Sequence, residues 1–242
     1  MEGLLSLSNL GVERASRCLL SGLSCAFHAG EVVVILGPNG AGKSSLLLAL
    51  AGLIPSSGET SVLGKNLHHY SRYELSKQVA WQGELPPTEF GLTVQQRLNL
   101  ALSDGCGAME SVVQSMDIQT LLQRPLGELS SGERQRTELA ALMLRDAPIW
   151  LLDEPTAHLD LKHQIQCINM MKTERAQGRA IITVLHDIQQ AMAVADHLIL
   201  IDGKGGAEYG EASLLFNNVR LSQLFDVPVI KQGNLLVPDY GE

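Results

Sequence analysis

Glu31-Val-Val-Val-Ile-Leu-Gly-Pro-Asn-Gly-Ala-Gly-Lys-Ser-Ser45 passes from a continuous apolar run through a glycine-rich turn into a second segment. Glu31–Leu36 reads as a buried strand, and Lys43–Leu53 as a helix stopped by Pro55 and a Ser-Ser-Gly turn. Between them, residues 37–44 fit the pattern G-x-x-x-x-G-K-S/T, in the strand-to-helix context that the pattern requires. Gly37, Gly40 and Gly42 let successive main-chain N–H groups turn inward on phosphate oxygens. The helix opening at Lys43 adds unsatisfied N–H groups and the positive end of its dipole. Lys43 supplies a full charge to β- and γ-phosphates, and the Ser44 hydroxyl suits Mg²⁺. Pro38, Asn39, Ala41 and Ser45 complete the expected phosphate-binding set.

Further strands follow the same logic. Ile149–Leu152 ends in Asp153 and Glu154, Ala180–Leu185 ends in His186, and His197–Ile201 ends in a glycine-rich turn. Apolar strands separated by helical stretches imply a parallel α/β sheet whose functional groups gather at the strands' carboxyl ends. Ile149–Leu152 is expected beside the phosphate-loop strand, which would aim Asp153 at Mg²⁺ and Glu154 at an attacking water as general base. His186 would reach the γ-phosphate or that water. Residues 4–10 and 17–27 alternate as half-buried antiparallel strands do. Residues 83–147 change to a mostly helical pattern, expected as a subdomain inserted into one 242-residue domain. The last thirty or so residues, an extension from about 213, should hold a helix (Val219–Phe225) and a hairpin around Gln232-Gly233-Asn234.

Composition narrows the classes. At this length folding should bury roughly 70–75% of the unfolded chain's surface, so no disulfide or structural metal is needed. A net charge of −8 argues against nucleic acid as a partner. No stretch reaches the roughly 18 uninterrupted apolar residues of a membrane span. Cys18, Cys25, Cys106 and Cys167 show no metal-site spacing and read as free core thiols. His158 and His163 lack nearby partners for a metal site.

Leu129-Ser-Ser-Gly-Glu-Arg-Gln-Arg136 opens another helix, and a serine and glycine at a helix N-terminus form a second anion site. One ATP cannot easily use both sites of one chain. A head-to-tail homodimer resolves this, each Ser130–Gly132 helix closing on the ATP held by its partner. The order GPNGAGKSS, Gln82, LSSGERQR, IWLLDEP, AHLD and His186 resembles the ATP-binding cassette family over nearly the whole chain. The resemblance implies an ATPase with Gln82 sensing Mg²⁺ and the water. It also implies γ-phosphate contacts from Ser130 and Gly132 across the dimer, with Ser131 and Glu133 in the same nucleotide-binding set and Asp160 organising the facing site. Arg14 stands where the family usually has an adenine-stacking aromatic, and Glu133 where glutamine is commoner.

With no span of its own, such a chain implies two integral membrane permease subunits, moved through a segment near Phe90–Val94. It also implies, indirectly, a periplasmic substrate-binding protein, and a place on the cytoplasmic face of the inner membrane. Leu159-Asp-Leu-Lys-His-Gln164 and Leu221–Val229 resemble metal-chelate importer ATPases, which handle iron-siderophores, haem and vitamin B12. Arg14 and the Glu-Leu-Pro-Pro stretch of residues 84–87 are similar to the vitamin B12 importer, which makes cobalamin the expected cargo and a ferric siderophore or haem the alternative. A soluble cassette ATPase of DNA repair or translation is the rival class. Repair proteins carry a long coiled-coil insertion, yet fewer than about fifty residues separate Gln82 from Ser130, without heptads.

Overall fold

A computed structural model describes residues 3–14, 17–83, 85, 91–102 and 109–239. Strands β1 (Leu5–Arg14) and β2 (Arg17–Phe27) form an antiparallel hairpin, extended by β4 (Ser57–Val62) and β5 (Lys65–Asn66) in the order β2-β1-β4-β5. The central sheet is built from β3 (Val32–Leu36), β6 (Val79–Gln82), β7 (Ile149–Asp153), β8 (Ala180–Val184), β9 (His197–Ile201) and β10 (Ala207–Glu211). Its order is β10-β9-β3-β8-β7-β6, parallel throughout except for β10.

The two-residue period of these strands sorts the core into two layers. Val33, Ile35, Leu151, Ile182 and Ile199 face the antiparallel sheet and helix α1 (Lys43–Leu50). Val34, Leu36, Trp150, Ile181 and Leu198 face the opposite layer, which includes α5 (Ser131–Met143), α6 (Leu161–Ala176) and α7 (Ile188–Val194). A sheet buried on both faces explains why the strands read as unbroken apolar runs.

Between β4 and β6 lies α2 (Arg72–Gln78), and between β6 and α5 lie α3 (Val94–Ala101) and α4 (Met109–Ser115). The Arg97 guanidinium donates to both Glu138 oxygens at 3.0 and 2.6 Å, fastening α3 to α5. The chain continues through α8 (Ala212–Leu215) and α9 (Asn218–Phe225) to the hairpin of β11 (Val229–Gln232) and β12 (Leu235–Pro238). That hairpin and the helix before it stand where the sequence pattern puts them.

Three expectations change. Helix α1 ends at Leu50, not Leu53: Leu53 N–H donates to Leu48 O and Gly52 N–H to Ala49 O, with Gly52 left-handed (φ 67°). This is a glycine C-cap, so the stop comes before Pro55 is reached. Strand β7 does not lie beside β3, because β8 pairs with both and separates them. Cys18 is exposed and Cys25 half-buried, while Cys167 is a core thiol whose burial raises its pKa to about 12. Glu84, Pro86, Pro87, Phe90 and Cys106 lie outside the described residues.

Trp150 is fully buried on the helical face of β7, with the Arg179 guanidinium 5.0 Å from its ring. Trp150→Ala is expected to destabilise the fold by about 3–5 kcal/mol through the cavity it leaves. Urea unfolding checks this, and a loss below about 0.5 kcal/mol, the range of a surface change, contradicts the packing described.

Candidate active site

The turn from β3 into α1 is held tightly. Gly42 adopts φ 105°, and a Cβ there would approach the Leu19 side chain to 2.9 Å. Only glycine meets both constraints. Lys43 is 6% exposed and donates from Nζ to the carbonyls of Gly37 (2.8 Å) and Pro38 (2.9 Å). Its ammonium thus lies back across the loop, as a fixed positive charge inside the ring of main chain. Burial lowers the Lys43 pKa from the ordinary lysine range, and the charges of Glu154 and Asp153 oppose that shift. Ser45 and Ala41 are buried, Pro38 and Ser44 are half-buried, and Asn39 and Gly40 are exposed at the turn's tip.

The neighbouring strand ends supply the acids. In register, Asp153 of β7 pairs with Val184 of β8, and Leu152 with Gln82 of β6. Glu154 follows with φ 52°, a left-handed conformation that is uncommon for a residue with a side chain and costs of order 1–3 kcal/mol. The fold holds it there by Glu154 N–H donating to Val184 O (3.2 Å) and Ala157 N–H donating to Glu154 O (3.0 Å). His186, just past β8, brings Nε2 within 2.6 Å of Glu154 Oε1. Because β8 lies between β3 and β7, His186 emerges between the phosphate-type turn and the acids. The structure therefore gathers Lys43, Asp153, Glu154 and His186 at one end of the sheet.

Gln82 completes this edge. Its Nε2 donates to Gly83 O (2.8 Å), while its buried Oε1 has no hydrogen-bond partner among the described residues. An orphaned buried carbonyl is costly and marks a place where a ligand or ion would satisfy it. The oxygen donors Ser44, Gln82 and Asp153 are the hard ligands that Mg²⁺ prefers, so the residues fit that ion.

The N-terminus of α5 stands apart from this cluster. Ser130 and Glu133 form a capping box: Glu133 N–H donates to Ser130 Oγ (3.3 Å) and Ser130 N–H to Glu133 Oε2 (2.8 Å). Glutamate thus serves there as acceptor, so the departure from glutamine loses nothing that this cap uses. A Cβ on Gly132 would meet His158 O at 2.8 Å. Gln135 donates to Pro155 O at 3.0 Å. These contacts attach the helix end to the loop after Glu154, not to the turn at Gly37–Ser44. Ser131 and Asp160 are exposed, and Asp160 caps α6 by accepting from His163 N–H (2.9 Å). Gln135 was not singled out in the sequence: it lies inside the quoted LSSGERQR stretch, but nothing in its spacing marks the carbonyl that its amide reaches. Arg14 ends β1 as an exposed residue.

A parallel sheet with a lysine-bearing glycine turn, flanking acids at the strand ends and an antiparallel sheet on one face defines a P-loop nucleotide hydrolase. The ABC transporter family model matches residues 20–157. The hemin import ATP-binding protein HmuV of Streptomyces coelicolor is 34% identical, over 94% of this chain and 85% of its own length. The cobalamin import ATP-binding protein BtuD of Halobacterium salinarum is 32% identical over 83% of this chain but 53% of its own length. The solved structure of an ATP binding subunit of an ABC transporter shares the fold, with TM-score 0.81 at 22% identity, covering 91% of this chain and 94% of the other. The chain belongs to the ABC transporter family, as one of its ATPases.

Glu133 yields a pH test. Its pKa is lowered, chiefly by the Ser130 main-chain N–H and further by the Ser130 hydroxyl and the Arg124 and Arg136 charges, with its partial burial opposing. A depressed carboxyl contributes stability above the ordinary glutamate value of about 4.3 and loses it as pH falls through the lower folded value. The stability gap between the wild type and Glu133→Gln is expected to shrink on going from pH 7 to pH 3, read from urea midpoints. A gap that stays constant over that range contradicts the assignment.

Proposed function

We propose that this chain is the ATP-hydrolysing subunit of a bacterial importer for a metal chelate, with haem as the leading cargo. The observation that carries the catalytic part is the 2.6 Å approach of His186 to a strained Glu154, at the sheet end that also holds Lys43 and Asp153. Gly37–Ser45 would cradle the phosphates of ATP, with Lys43 as their counter-charge. Ser44, Gln82 and Asp153 would hold Mg²⁺, which when bound neutralises phosphate charge. Glu154 would take the proton of the attacking water, and His186 would orient Glu154 and reach toward the γ-phosphate. Positioning and charge stabilisation of this kind account for most of the rate in phosphoryl transfer.

The exposed helix end at Ser130–Glu133 and the exposed Asp160 would complete the site of a second copy, in a head-to-tail homodimer. A helix N-terminus directed at a γ-phosphate distinguishes ATP from ADP, so closure would follow nucleotide state. Next to Gln82 runs a groove of about 540 Å³ lined by Tyr73, Trp81, Arg97, Leu100 and Arg145. Leu100 and Tyr73 are 72% and 71% exposed there. In each copy of the dimer this groove would receive a segment of one of two permease subunits, at the cytoplasmic face of the membrane. No helix among the described residues is long and apolar enough to cross the membrane itself.

For the cargo, the cobalamin expectation gives way to haem. The haem relative matches over 85% of its length and the cobalamin relative over 53%. This part rests on kinship alone, and a ferric siderophore is the second reading. A periplasmic binding protein would deliver the chelate to the permease.

Glu154→Gln is expected to lower ATPase activity by at least about 10²-fold while retaining ATP. Tagged and incubated with ATP and solubilised membranes, it should recover a multi-span permease. Wild-type ATPase in that reconstituted complex should then respond to haem-loaded binding protein more than to cobalamin. Recovery of ribosomes or DNA-repair factors without a membrane protein would refute the importer.

A further inference from the structure

The segment Leu159-Asp-Leu-Lys-His-Gln164 does more than begin α6. Gln164 Nε2 donates to Leu159 O (3.1 Å), and its Oε1 accepts from Gln190 of α7 (3.1 Å), a helix that starts two residues after His186. Lys162 Nζ meets Asp117 Oδ2 at 2.5 Å, and Gln166 donates to Ser115 O at 2.6 Å. Asp117 and Ser115 lie at the end of α4, in the helical region, where Arg136 of α5 also donates to the carbonyls of Met116 and Asp117. One short stretch therefore joins the loop bearing Asp160, the helix after His186, and the helical region.

His163 sits at the centre of this junction. Its main-chain N–H and its Nδ1 both contact Asp160 Oδ1, at 2.9 and 2.8 Å. The carboxylate accepts, so Nδ1 carries the proton. Nε2 is buried, has no hydrogen-bond partner among the described residues, and faces Asp117 Oδ2 at 3.7 Å. Capping α6 needs only the main-chain N–H, which any residue but proline would supply at this position. The imidazole is thus surplus to the cap. Lys162 is 70% exposed, so its bond to Asp117 is solvated and contributes little. The His163 side chain is 15% exposed and the Asp160 carboxylate 66% exposed, so the ring is the fixed partner of the pair and the carboxylate the one it positions. The charged groups facing the ring are Asp160 and Lys162 of its own segment, Asp117 at the end of α4, and Arg136 of α5.

We infer that His163 is a positioning residue for ATP hydrolysis: its Nδ1–H fixes the Asp160 carboxylate, in a segment that Lys162 and Gln166 join to the helical region. This rests on the ATPase reading given above, and its test separates the two.

The test compares His163→Ala, His163→Asn and His163→Gln in the full chain. The Asn amide nitrogen occupies the place of Nδ1, and the Gln amide nitrogen that of Nε2. His163→Ala is expected to lower kcat by about tenfold with KM for ATP within about twofold, a misplacement effect and not a binding one. His163→Asn should recover most of that loss and His163→Gln little of it. Unchanged kcat in His163→Ala, equal losses in all three variants, or recovery by Gln in place of Asn would overturn the inference. Amide hydrogen exchange of the nucleotide-free protein is the second readout. His163→Ala should quicken exchange at residues 156–160 more than at residues 112–118; no quickening at 156–160, or equal quickening of both, overturns the inference. A wild type that fails to hydrolyse ATP would refute the ATPase reading, and the exchange result would still decide the role of His163.

Discussion

Parallel pairing of β3, β8 and β7 is the constraint on which the rest of the molecule depends. Parallel strands run in one direction, so their carboxyl ends, and whatever follows them, come to the same edge of the sheet. Register then does the finer placement. With Asp153 paired to Val184 and Val184 to Ile35, the residues just beyond them fall on one short line. The apolar runs that bury the strands on both faces are therefore also what aims Lys43, Glu154 and His186 at one another. A slip of one residue would exchange the two core layers and turn these side chains away together.

The site stores cost in two places. Glu154 is left-handed, and the buried Oε1 of Gln82 has no hydrogen-bond partner among the described residues. Neither feature helps the fold stand alone, and each would be relieved by a more ordinary residue. Both features beside a buried lysine fit a site that takes an anionic ligand together with a cation. The strained residue is held by one main-chain bond to Val184 of β8 and one from Ala157 of its own loop, which anchors it to the central sheet.

Much of this was legible in the sequence, for a definite reason. The turn at Gly37–Ser44, the strand ends at Asp153 and His186, and the cap at Ser130 are local features, set by residues within a few positions of each other. Strand order is not local. The expectation that β7 neighbours β3 failed because nothing in either strand's sequence records that β8, nearly thirty residues later than β7, inserts between them. The end of α1 was misjudged more simply, since Gly52 had already closed the helix with a left-handed cap before Pro55 could. Gln135 shows the opposite limit. A polar residue's importance lies in which distant carbonyl it reaches, or fails to reach, and pattern alone is silent on that.

The same distinction explains why Leu159–Gln164 could be recognised as a resemblance before its physical role could be stated. Its polar side chains do not face one ligand. They reach to α4 and to α7 and back to their own loop, so each contact makes sense only once the helical region is packed against the central sheet. Cohesion of that kind does not need large energies. Exposed pairs such as Lys162–Asp117 contribute little stability singly, yet several together define one arrangement out of many. A partly buried imidazole bonded to the Asp160 carboxylate sets one end of that arrangement, and the bonds of Lys162 and Gln166 to the helical region set the other.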